Sequence, residues 1–150
     1  MPRHRCCRSR PDGGSKSAAT STMTVRMLSR YTGRGPTKAR TFLNEDLVTV
    51  VLQDTLTKGE RTLVAKDRGH LVLLTRTSFQ EVMREDLTAG IEEILGRNVT
   101  AFLSANHIDP DIAVETFVLA PSEDAPSDRA RSHDAAGPRA APAAVRHGSA

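Results

Sequence analysis

Read by its apolar and polar positions, the chain divides near residues 22 and 122, with regular periodicity confined to the stretch between them. Met23, Met27 and Tyr31 recur every four positions, which puts them on one face of a short helix over residues 23–31, and Gly33 supplies its stop. Residues 38–54 hold two β-rich apolar stretches on either side of Asn44, Glu45 and Asp46, residue types that favour tight turns, so a β-hairpin is predicted. In its second strand Val48, Val50 and Leu52 share a wholly apolar face, whereas Leu47, Thr49, Val51 and Gln53 share a mixed one. Helices are therefore expected on one side of the sheet.

Thr57 and Glu60 have the spacing of a capping box, in which the hydroxyl accepts from the third amide and the carboxylate accepts from the cap amide. A helix starts there, carries Leu63 and Val64, and bends or breaks at Asp67, Arg68 and Gly69. It resumes over residues 70–95, where Val72, Phe79, Val82, Met83, Leu87, Ile91 and Ile94 follow helical spacing, and Gly96 stops it. Residues 99–103 and 112–119 read as a second pair of strands, joined through residues 104–111 with the turn signal Asp109, Pro110, Asp111. Pro121 closes the folding region. The predicted fold class is α+β: a small, mainly antiparallel four-stranded sheet of two hairpins, packed against one long helix and shorter helices.

Outside residues 23–121 the composition points to disorder. Residues 1–22 mix Arg, Gly, Ser and Thr, and residues 122–150 are rich in Ala and Pro with Val145 their one large apolar side chain. The net charge of +3 conceals a split. Residues 1–34 carry eight Lys or Arg against one Asp, residues 35–121 nine against thirteen acidic side chains, and residues 122–150 four against four. The folding region is thus mildly acidic, which argues against specific nucleic-acid binding. Cys6 and Cys7 are adjacent in the basic arm and suggest neither a disulfide framework nor a zinc set. No apolar run reaches the roughly 18 to 20 residues that span a bilayer, and the arm has no signal-peptide core. The expected location is the cytoplasm, with a peripheral position at the inner membrane face as an extension of it.

Few residues carry candidate chemistry. Gly33, Arg34, Gly35, Pro36, Lys38 and Arg40 combine two permissive glycines, a fixed φ and three basic side chains, a combination suited to an anion or a partner contact. The segment precedes a strand and Pro36 lacks an amide donor, so a rigid turn is the simpler reading. Asp109 and Asp111, with His107 and Asn106 nearby, lack the alternating pattern of a calcium loop and read as a hairpin turn. His70 lies too far along one helix from Glu81 or Glu85 to act with them. Glu81, Arg84, Glu85, Asp86, Glu92 and Glu93 read as a solvated helix face. The run from Leu71 through Val72, Leu73 and Leu74 must point to more than one side of a helix. Burial in the monomer's own core is its simpler account, and a partner or dimer surface at Leu71, Leu73 and Leu74 the alternative. No nucleophile and base, metal set or cofactor fingerprint stands out, so no enzyme and no cofactor are expected.

Residues 31–121 resemble the MpsC-like domain family, a former domain of unknown function named for a component of a sodium-translocating, membrane-potential-generating system. The strings that carry the resemblance are YTGRGPTKARTFLNEDLVTVVLQDTLTKGERTLV, FQEVMREDLTAGIEEILGRNV and DPDIAVETFVLAP. Two features depart from the family pattern: the helix before the Gly-x-Gly-Pro turn is read as shorter, and residues 71–74 are less polar. The resemblance implies a partner of membrane proteins for cation or inorganic-carbon uptake. The expected function is a non-enzymatic accessory module of such a system, with a membrane transport subunit as partner. The alternative is a small-molecule or anion-sensing homodimeric binding domain in which Arg34, Lys38 and Arg40 gather around the glycine turn.

Overall fold

A computed structural model describes residues 12–121. The elements run α1 (Asp12–Thr32), β1 (Lys38–Asn44), β2 (Leu47–Gln53), α2 (Lys58–Val64), α3 (Gly69–Leu95), β3 (Val99–His107) and β4 (Ile112–Leu119). The four strands form one antiparallel sheet in the order β1-β2-β4-β3, so the α+β class and the two hairpins stand as read from the sequence. The hairpins join through their inner strands, with Val50 opposite Glu115 and Leu52 opposite Ala113.

Val48, Val50 and Leu52 of β2 and Ala113, Phe117 and Leu119 of β4 are buried, and all project to the same side. Against them α3 sets Met83, Leu87 and Ile91, a stripe at spacings of four, and α1 adds Leu28. The opposite side of the sheet, with Thr49 and Val51 of β2 and Val114 and Thr116 of β4, is packed against no helix among the described residues.

Local chemistry sets the boundaries. The capping box at Thr57 and Glu60 is formed, with the Thr57 hydroxyl accepting from the Glu60 amide and the Glu60 carboxylate accepting from the Thr57 amide. Asp67 takes a positive φ of 57° and separates α2 from α3. Gly96 ends α3 in the left-handed conformation, its amide donating to the Glu92 carbonyl at 2.8 Å.

Three expectations are corrected. The first helix does not begin at Met23 but at Asp12, because Thr20, Thr24 and Leu28 form a buried stripe at four-residue spacing whose two threonines do not register as apolar. The apparent shortness of the helix before the Gly-x-Gly-Pro turn disappears with that extension. β3 continues through Ser104 to His107, beyond the expected end at Leu103, because Ser104 and Asn106 still pair with β4. Of the run at residues 71–74 only Val72 is buried, at 1 % exposure, while Leu74 is 68 % exposed, so the monomer's core does not absorb the leucines. The remainder of the basic arm, with Cys6 and Cys7, and the tail after Pro121 lie outside the described residues.

Candidate functional site

The buried stripe of α3 changes character along its length. Its last half is aliphatic, whereas its first half places Arg76 and Gln80 between Val72 and Met83, all pointing at the sheet. A polar group buried this way is stable only when hydrogen-bonded.

Arg76 meets that requirement fully. Its guanidinium grips Glu60 with Nε to Oε1 at 2.9 Å and Nη2 to Oε2 at 3.0 Å. It also donates to the Thr55 hydroxyl at 2.7 Å and the Thr55 carbonyl at 2.8 Å. Burial works to raise the Glu60 carboxyl's pKa, but the guanidinium and the Thr57 amide and hydroxyl outweigh it and hold the group below its ordinary value. Asp111 completes the assembly, accepting from the Thr55 amide at 3.0 Å, the Thr55 hydroxyl at 2.7 Å and the Leu56 amide at 2.8 Å. The network ties α2, α3 and the turn before β4 to the loop of Thr55 and Leu56.

Glu115 is different. It is 1 % exposed, on the inward side of β4 between Ala113 and Phe117, and Gln80 donates to its Oε1 at 3.1 Å. Among the described residues its Oε2 has no hydrogen-bond partner, nor has the buried hydroxyl of Ser104, the residue paired with it on β3. Burial pushes the carboxyl's pKa up to about 7, against the lowering influence of the Gln80 hydrogen bond and the Arg76 charge. Beside it lies a cavity of about 20 Å³ bounded by Thr55, Arg76, Gln80, Asn106 and Glu115 among others, enough for about one water. On the outer side of Gln80, Ser104 and Asn106 a cleft of about 380 Å³ runs between α3 and β3, walled by Thr77, Glu81 and Arg84. The arrangement can hold or release one proton at Glu115 near neutral pH. Arg76 is saturated by Glu60 and Thr55 and is not free to take an anion.

The residues singled out by sequence reasoning are distributed elsewhere. Gly33 adopts φ 75° past the end of α1 and donates to the Ser29 carbonyl, and Gly35 packs close to Val25. Arg34 turns inward to the Leu56 carbonyl. Lys38 and Arg40 share the open side of β1, exposed, beside a hollow of about 600 Å³ reaching Val51 and Gln53. The structure therefore pairs Lys38 with Arg40 but does not gather Arg34 to them. Asp111 serves the Thr55 loop, and the His107 ring nitrogen Nδ1 lies 2.9 Å from the Pro110 carbonyl oxygen. Asp86 and Glu92 are not simply solvated: Asp86 accepts from the Tyr31 hydroxyl at 2.7 Å and Glu92 from the Val99 amide at 2.7 Å. Among the described residues no three His, Cys, Asp or Glu side chains are grouped to hold a metal ion, and no helix is long and apolar enough to cross a membrane.

Sequence reasoning passed over Arg76, Gln80 and Glu115, and identified no partner for Ser104. Parity gave a signal for Glu115, since it falls in step with Ala113, Phe117 and Leu119.

One family model, described as Na+-translocating membrane potential-generating system (MpsC), matches residues 13–121. Neither a curated protein nor a solved structure matches the chain.

Proposed function

The chain belongs to the MpsC family, and from that membership we propose that it is a non-enzymatic accessory component of a membrane system that moves cations and generates a membrane potential. It works at the cytoplasmic face, without a bilayer-crossing helix among its described residues, and docks on an integral membrane subunit. The observation that carries the docking is the leucine patch at the start of α3: Leu71, Leu73 and Leu74 are 42 %, 37 % and 68 % exposed, with Leu63 of α2 at 40 %. Large apolar side chains left exposed this close together in the chain favour an interaction surface.

Affinity purification of the tagged chain from its host, with detergent-solubilised membranes, tests the reading by mass spectrometry. A membrane subunit is expected at near-stoichiometric yield, and the triple change Leu71→Ser, Leu73→Ser and Leu74→Ser is expected to lower that yield at least tenfold while leaving the thermal transition in place. Failure to retain any membrane protein counts against the proposal.

The anion-sensing alternative keeps one supporting feature, the exposed pair Lys38 and Arg40 beside its hollow. Calorimetry with phosphate, bicarbonate and nucleotides separates the two readings, because a docking module without a ligand gives no binding heat.

A further inference from the structure

We propose that the open side of the sheet is the surface through which two copies of this chain pair face to face. The strand register defines that side row by row. Arg40, Val51, Val114 and Ala105 lie across it in one row, and Phe42, Thr49, Thr116 and Leu103 in the next. Leu47 and Val118 extend it toward the hairpin turn. Phe42, Leu47 and Leu103 are 54 %, 42 % and 56 % exposed, and neither α1 nor α3 reaches this side.

Its extent is that of an interface rather than of scattered surface residues. Four strands about 4.8 Å apart and seven residues long at about 3.4 Å each project a rectangle of about 450 Å². Accessible area exceeds projected area wherever side chains stand out, so two such faces together bury more than about 900 Å², close to the roughly 1,000 Å² that a specific interface needs.

Residues 1–11 and 122–150 contribute Met1 and Val145 as their large aliphatic side chains, against a field of more than six. A second copy supplies a matching surface. The face carries no acidic residue, and its charges, Lys38 and Arg40, sit on the β1 edge. A twofold axis parallel to the strands lays β1 of one copy over β3 of the other. Phe42 then meets Leu103 and Arg40 meets Ala105, so no basic side chain is forced onto its own twin. Two twisted sheets stacked in this way form an aligned sandwich about 10 Å thick between layers.

This pairing is independent of membrane docking, because the α3 leucines are carried by the layer on the other side of the sheet. Sedimentation velocity of the full chain over about 1 to 100 μM is the test, that range bracketing ordinary homodimer affinities. A dimer is expected for the wild type and for Leu74→Lys. Phe42→Lys and Leu103→Glu, each at an exposed position, are expected to weaken association by about 100-fold or more, since each sets a lone charge in an apolar interface. The double variant in one chain is expected to recover association by opposing the new charges. Concentration-dependent shifts of the Val51 and Val114 methyl signals in the wild type need no variant and report the same face. A wild type that stays monomeric throughout overturns the proposal. So does a dimer that ignores both sheet substitutions, or one that yields only to Leu74→Lys.

Discussion

Glu115 departs furthest from the ordinary behaviour of its residue type. Its carboxyl titrates near 7 in the folded chain against an ordinary value of 4.5. Between those two pH values the folded state binds more protons than the unfolded state, so this group's contribution to stability falls as pH rises through the window and is fully lost above about 7. The gap corresponds to about 3 kcal/mol. Glu115→Gln keeps an acceptor for Gln80 and removes the titration. Urea unfolding at pH 5 and pH 8 is therefore expected to show the variant gaining on the wild type by about 2.5 kcal/mol across that interval, and parallel stabilities at the two pH values would rule the assignment out. The position was open to inference from strand parity, but the partner was not. Gln80 lies 35 residues away on another element, and a local pattern cannot say which buried polar side chains meet. Arg76 shares that history: its place between Val72 and Gln80 at four-residue steps is legible, whereas its saturation by Glu60 and Thr55 is a matter of tertiary packing.

α1 shows how composition can disguise a helix. Its buried stripe substitutes Thr20 and Thr24 for large apolar residues, and its contact with β1 is made by small polar groups, with the Ser17 hydroxyl donating to the Thr41 carbonyl at 2.9 Å and Ser21 and Thr41 hydroxyls 2.7 Å apart. A periodicity count that scores only aliphatic and aromatic residues sees Met23, Met27 and Tyr31 and stops there. Thr24 satisfies its hydroxyl on the Thr20 carbonyl, but the Thr20 hydroxyl is buried without a partner among the described residues. Thr20→Val keeps the shape and removes that unmet group, so thermal unfolding is expected to show a gain of about 1 kcal/mol, whereas a loss of that size would place an unseen donor or acceptor there. The capping box, the break at Asp67 and the stop at Gly96 were all legible because each depends on residues within a few positions of one another.

The two hairpins were readable one at a time, and their order in the sheet was not, since it depends on β2 finding β4 across the whole of α2 and α3. The composition held a hint: β2 and β4 are the most apolar strands, as inner strands should be. The same reasoning explains why the sequence points to the turn at residues 33–40 and to α3 for a partner contact and not to the sheet, because a mixed strand face looks solvated until four of them stand side by side. It also locates the partition of labour in the fold, with the core on one side of the sheet and, among the described residues, no helix on the other.

The β2–β4 seam has a kinetic meaning as well. Each hairpin closes a short loop and forms early, but the halves unite only when a long intervening segment has been drawn in, which is the costliest closure in the chain. Stopped-flow refolding is therefore expected to be slowed several-fold by Val50→Ala at the seam, whereas Leu103→Ala on the outer strand speeds unfolding and leaves refolding nearly unchanged. The time this chain takes to become itself is set along one line of hydrogen bonds, where its first half recognises its second.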